Sequence, residues 1–183
     1  MIKIVVSGSR EWDWFAVFKK AMIDVISEIQ YHHPVGSKSI QIVHGGARGV
    51  DGMAQRFADD LGLPVKVFEA NWDDIRGATS LGSSHGGRPY NKMAGIERNL
   101  AMLKYAKEEK IIANIGKNVG KKNYDIAKSF LVAFQVDKSR GTQNTINIFK
   151  KAKIPTYVFD VKYGVQLTLS TFNVETQLKR MYF

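Results

Sequence analysis

Three apolar runs each end in a turn of Gly, Ser or Thr that carries an arginine, and each turn leads into a helix-spaced segment. Ile2–Val6 runs into Ser7, Gly8, Ser9 and Arg10. Ile40–Val43 runs into His44, Gly45, Gly46, Ala47, Arg48, Gly49, Val50 and Asp51. Phe130–Val136 runs into Asp137, Lys138, Ser139, Arg140, Gly141 and Thr142. Strand, tight turn and helix in repetition leave few folds open. Parallel strands need crossover connections, and right-handed helical crossovers cover both faces of their sheet. The pattern predicts an α/β protein, a Rossmann-like three-layer sandwich with a mainly parallel central sheet.

The rest of the chain fits that plan. Phe15, Phe18, Met22, Val25, Ile26 and Ile29 recur at helical spacing, as do Met53, Ala54, Phe57, Ala58 and Leu61. Gly62 and Pro64 are expected to stop the second helix. Val65–Phe68 and Pro155–Phe159 read as strands, Met93–Lys107 as a helix, and Ile146–Ala152 as part of the helix after the Phe130 strand. Gly77–Lys92, rich in glycine and serine, reads as a long loop, with Arg76, His85, Arg88 and Tyr90 placed to close over a ligand or simply exposed. Residues 111–128 read as an insertion. In the tail, Tyr163–Phe172 alternates like a strand and Val174–Met181 suits a short helix. One α/β domain over residues 1–160 is expected. Residues 161–183 would be an extension packed on it or on a partner subunit of a homo-oligomer.

Composition narrows the function classes. A chain of 183 residues with 44% hydrophobic and 24% charged residues can build a core. It has no cysteine, so disulfides and thiolate metal sites are excluded, and neither a metal nor a cofactor is expected. No stretch approaches a membrane span, and MIKIVVSGSR reads as a strand entering a turn, not a leader. A cytoplasmic protein with no membrane association is the expectation. The net charge of +10 favours anionic partners, either nucleotides or nucleic acid, although a solvated basic face explains it equally.

In a parallel sheet the three turns share one edge. Glycine admits close backbone approach, and a helix N-terminus presents free N–H groups that suit phosphate. The candidate ligand-binding residues are therefore Gly8, Ser9, Arg10, Gly45, Gly46, Arg48, Gly49, Ser139, Gly141 and Thr142. Arg48 and Arg140 suit forked contact with phosphate oxygens, or solvent. Asp51 suits either the first turn of its helix or ribose hydroxyls. His44 reads as structural.

The ordered set Gly8-Ser9-Arg10 with Trp12, Val43 to Asp51, Trp72, Ala94 to Asn99 with Met102, Ala133-Phe134, Ser139 and Gly141-Thr142 resembles the SLOG superfamily. More narrowly it resembles the small YspA-like proteins of phages and bacteria. The likeness covers most of residues 1–158. It implies a Rossmann-like domain that binds nucleotides or nucleotide-derived ligands. The superfamily includes the lonely-guy phosphoribohydrolases, which cleave an N-glycosidic bond, and the DNA-processing protein A family, which binds single-stranded DNA.

The likeness implies a catalytic arginine at Arg98, beside Asn99, with Asp51 as the candidate acid. The family's glutamate after the Gly-Thr turn is missing, because Asn144 and Thr145 stand there. An amide cannot act as a base, so Asp51, Glu69 or Glu97 would have to substitute. The expected function is binding of a nucleotide or nucleotide-sugar, with N-glycosidic hydrolysis as the accompanying activity. A non-catalytic nucleotide sensor and a single-stranded nucleic-acid binder that stacks bases on Trp12, Trp14 or Trp72 are the alternatives.

Overall fold

The computed structural model describes residues 1–32, 36, 39–84, 86–108, 129–162 and 166–172, with side chains 162, 166–168 and 172 left aside. His85, the segment 111–128 and the expected tail helix over 174–181 lie outside the described residues. The elements in chain order are β1 (Ile2–Gly8), α1 (Phe15–His32), β2 (Ile40–His44), α2 (Val50–Leu61), β3 (Val65–Val67), β4 (Leu81–Ser83), β5 (Pro89–Asn91), α3 (Ala94–Lys107), β6 (Ser129–Val136), α4 (Arg140–Lys151), β7 (Thr156–Lys162) and β8 (Gln166–Phe172).

The main sheet has the order β3-β2-β1-β6-β7-β8. Every neighbouring pair is parallel except β7 with β8. The α/β class and the mainly parallel sheet follow the sequence pattern. β7 runs through residue 160 to Lys162, and β8 pairs with it from Thr156↔Phe172 to Lys162↔Gln166.

Side-chain alternation builds the three layers. Ile4, Val6, Val132 and Phe134 meet α1 and α2 through Phe18, Met22 and Phe57 on one face. Val5, Leu131 and Ala133, one residue out of phase, meet α3 and α4 through Met102, Ile146 and Phe149 on the other. Strands buried on both faces read as unbroken apolar runs, which is why β1 and β6 were legible. Gly62 ends α2 in the left-handed conformation (φ 62°), its N–H returning to the Ala58 and Asp59 carbonyls.

The loop expected over Gly77–Lys92 is instead partly ordered as a hairpin, with Leu81↔Asn91, Gly82↔Tyr90 and Ser83↔Pro89 paired. The reason is local. A Cβ at Gly82 would run into the Tyr90 ring, so the glycine gives the aromatic a bare backbone to lie on. The Tyr90 ring also meets Trp72 edge-on at 6.3 Å.

Candidate functional site

The strand order reverses direction between β1 and β6, whose ends pair as Gly8↔Phe134. Loops from adjacent strands diverge at such a switch point and leave a crevice beyond the carboxyl ends of the strands. Two glycines make the crevice possible. A Cβ at Gly8 would come within 2.5 Å of the Phe134 carbonyl oxygen. At Gly49 (φ 73°) it would come within 2.6 Å of the Ser9 carbonyl oxygen. The Ser9 N–H donates to the Phe134 carbonyl (2.8 Å), and the Ser9 carbonyl accepts from Val50 N–H (3.3 Å). The first turn is thereby clamped between β6 and the start of α2.

A cavity of about 450 Å³ opens there. Its walls include Gly8, Ser9 and Arg10 after β1, Ser139 to Thr142 at the start of α4, and Gly95, Arg98 and Asn99 on α3. Neither Gly49 before α2 nor Ser139 before α4 caps its helix with a side chain. The Ser139 hydroxyl instead bonds the Thr142 hydroxyl (2.7 Å). Asn99 is buried and donates to Asn144 Oδ1 (3.1 Å), so the position that lacks the family's acid holds an amide pair.

Asp51 and Arg98 lie where this cavity meets a second hollow. Asp51 is 5% exposed. Its Oδ2 accepts from Ala47 N–H (3.0 Å) and from Arg98 Nη1 (3.5 Å). Burial pushes the carboxyl above its ordinary range, against the Ala47 N–H and the Arg98 charge, which favour ionisation. Burial likewise lowers Arg98, opposed by Asp51 and assisted by the neighbouring charge of Arg10. Arg98 Nη1 also donates to the Gly45 carbonyl, and its Nε is buried without a partner. Gly45 has to be glycine here, since a Cβ would occupy the guanidinium's place.

The second hollow, about 530 Å³, is lined by Gly45, Gly46, Arg48, Glu69 and Ala70, and shares Arg10, Ala47, Trp72 and Arg98 with the first. The three turns therefore do not converge on one point. Gly8, Ser9, Ser139, Gly141 and Thr142 face the first cavity, and Gly45, Gly46 and Arg48 face the second. Gly49 lines neither, packing instead beneath Ser9 and Arg10. Arg48 is largely exposed and bridges to Glu11 at 3.3 Å.

His44 has the structural role expected. Its Nδ1 accepts from Gly46 N–H (3.1 Å), which assigns the ring proton to Nε2 and makes it the donor to Gln55 Oε1 (3.0 Å). Glu97 is turned away from both cavities and accepts from Asn91 Nδ2 (3.1 Å). Asn91 Oδ1 in turn takes the Met93 N–H (2.9 Å) at the start of α3. Trp12 is 2% exposed and packs edge-on against Phe134, so it offers no stacking surface to a base. Trp14 and Trp72 are partly exposed, and of the three only Trp72 lines the cavities. Arg76, Arg88 and Tyr90 line neither cavity.

Glu11, Lys92, Ile96 and Asn144 also line the first cavity. Lys92 and Ile96 were not singled out because the hairpin and the rotation of α3 decide where they point. The position of Glu11 directly after Ser9-Arg10 was the available signal for that residue.

Fold and site together define a Rossmann-like α/β protein with a polar crevice at its switch point. Residues 2–74 match the model of the YspA, cpYpsA-related SLOG family, and over that stretch the chain is similar to YspA-like SLOG sequences. The family points to a nucleotide-related ligand. The chain is also similar to the Gene 61 protein of Mycobacterium phage D29, 26% identical over 125 residues that span 66% of this chain and 82% of the relative. No solved structure matches it. Among the described residues no helix is long and apolar enough to cross a membrane, and no cluster of His, Cys, Asp or Glu suits a metal ion.

Proposed function

We propose that this protein binds a nucleotide or nucleotide-derived ligand, with a phosphate group in the first cavity. The observation that carries the reading is the charge of its wall. Arg10, Lys92 and Arg140 surround the cavity, and among the described residues none of them pairs with a carboxylate. Three unpaired cations beside two helix N-termini suit a phosphate dianion. Gly8, Ser9, Ser139, Gly141 and Thr142 supply a surface that a phosphate can approach closely. Isothermal calorimetry against a panel of nucleoside mono- and diphosphates tests the reading. Micromolar binding by at least one is expected, and a folded protein that binds none of them would refute it.

Asp51 supports a second reading, cleavage of the ligand's N-glycosidic bond. It is a buried carboxylate in the cavity wall, within reach of a bound ligand, and burial raises its pKa above the ordinary carboxylate range. Bond cleavage with water adds a hydroxyl to the ribose C1′ and a proton to the departing base. Chromatographic detection of free base and ribose phosphate tests this reading. A nucleotide that binds and is recovered intact identifies a sensor or sequestering protein instead.

A further inference from the structure

We infer that the Asn99–Asn144 amide pair is a specificity element of the first cavity: it reads the vicinal hydroxyls of a ribose and so separates a ribonucleotide from its 2′-deoxy counterpart. The inference rests on the phosphate reading of that cavity and assigns the group that lies next to the phosphate.

Two polar side chains are held there with hydrogen-bonding capacity to spare. Asn99 on α3 is 3% exposed, and Asn144 on α4 is half-buried. One bond joins them, Asn99 Nδ2 donating to Asn144 Oδ1 at 3.1 Å. An amide carries two donors and an oxygen with two lone pairs, so this bond leaves an acceptor at Asn99 Oδ1 and donors at Asn144 Nδ2. Neither group has a partner among the described residues. A buried polar atom without a partner calls for an explanation. Here the explanation is access: Asn99 Oδ1 is not sealed in the interior, and both residues line the cavity. Reversing both amides exchanges the roles and still leaves one donor beside one acceptor.

That combination selects the ligand group. A phosphate dianion only accepts, so an unpartnered amide oxygen disfavours it. A hydroxyl both donates and accepts. Of two neighbouring cis hydroxyls, one can donate to Asn99 Oδ1 while the other accepts from Asn144 Nδ2. Position favours the sugar over the base. Arg140 and Asn144 stand four residues apart on α4, one turn of about 5.4 Å along the same face. The group one step from a phosphate at Arg140 is the sugar. The base has a wall of its own in Trp72, the aromatic ring that lines this cavity. Asp51, the other candidate for ribose hydroxyls, has its Oδ2 engaged by Ala47 N–H and Arg98.

The test is calorimetry with the 5′-monophosphates of adenosine, guanosine, cytidine and uridine and their 2′-deoxy counterparts. Each is titrated into wild type, Asn99→Ala and Asn144→Ala, with both variants checked by circular dichroism. For the best-bound ribonucleotide, wild type is expected to favour the ribose form about tenfold. Either substitution should bring that ratio to about twofold or less, with affinity for the deoxy form changed less than about threefold. Equal affinity for the two forms in wild type overturns the inference while the nucleotide reading stands, and this comparison needs no variant to fold. A preference that survives both substitutions also overturns it, because another group then reads the hydroxyl. If none of the eight ligands binds wild type, the phosphate reading falls and this inference with it.

Discussion

The Asp51 carboxylate and the Arg98 guanidinium meet 3.5 Å apart between α2 and α3, and burial works against the charge on both. Desolvation of a buried pair often cancels its Coulombic gain, so the pair is a poor device for stability alone. Its geometry serves the site: Arg98 spans from Asp51 to the Gly45 carbonyl and fixes the wall between the two hollows. Removing one partner is another matter, because it strands the other's charge. Arg98→Met is expected to cost about 3 kcal/mol, the low end for a broken buried pair, since the hollows admit water. Asp51→Asn with Arg98→Met should cost less than the sum of the singles. Urea unfolding of the four proteins checks this, and additive losses would show that the pair is not coupled.

The same pair predicts a pH dependence with a definite sign. The folded-state pKa of Asp51 is raised above the ordinary value of 3.8, so the folded chain binds more protons than the unfolded one across that interval. Its contribution to stability is full below 3.8 and is lost as pH rises through the folded value. Asp51→Asn lacks the loss. Its stability relative to wild type should therefore climb as pH rises above about 4. Denaturant midpoints at several pH values test this; parallel curves, or wild type gaining on the variant, would contradict the buried assignment.

The arginines of the three turns should separate in a binding assay. Arg10 and Arg140 line the first cavity without a carboxylate partner, whereas Arg48 is 76% exposed in its side chain and tied to Glu11. Replacing Arg10 or Arg140 by alanine is expected to weaken binding of a phosphorylated nucleoside by about 1.5–3 kcal/mol. Arg48→Ala should cost about 0.5 kcal/mol or less, as for other exposed pairs. Calorimetry with a single mononucleotide suffices, and an equal loss in all three variants would place the phosphate elsewhere.

How far the sequence could be read follows from which residues act locally. β1, β2 and β6 and the helices after them were legible because doubly buried strands are unbroken apolar runs and helices repeat at 3.6 residues. Gly62 and Pro64 marked the end of α2 by chemistry confined to a few residues. The hairpin at Leu81–Asn91 was hidden because glycine and serine usually mean loop, and only the Gly82–Tyr90 pairing across the strands makes them otherwise. The site residues were legible as turns. That Gly45 and Gly46 face a different hollow from Gly8 and Ser139 was not, because Arg98, arriving from α3 some 50 positions later, sets the wall between them.

The net charge of +10 keeps open the alternative of single-stranded nucleic-acid binding. Such binding depends on a basic track along which phosphates displace counterions and on aromatic faces that stack successive bases. Trp12 is buried against Phe134, and Trp72 sits between two hollows with Gly95 under its ring. Trp14 is exposed but lines neither hollow, so the one aromatic wall of the crevice, Trp72, serves one ring and not a run of bases. The cations Arg10, Lys92 and Arg140 likewise cluster on the first cavity, Arg10 at its border with the second. A labelled oligonucleotide is therefore expected to bind weakly and to be displaced by the mononucleotide that fills the cavity. Affinity for that mononucleotide should fall gently with salt, with a log–log slope of about −2 or shallower for its one phosphate group, against the steep slopes of proteins that neutralise 6–10 phosphates. Fluorescence anisotropy at low and high salt separates the cases. Tight oligonucleotide binding that no mononucleotide competes would move the functional surface away from the crevice and onto the basic exterior.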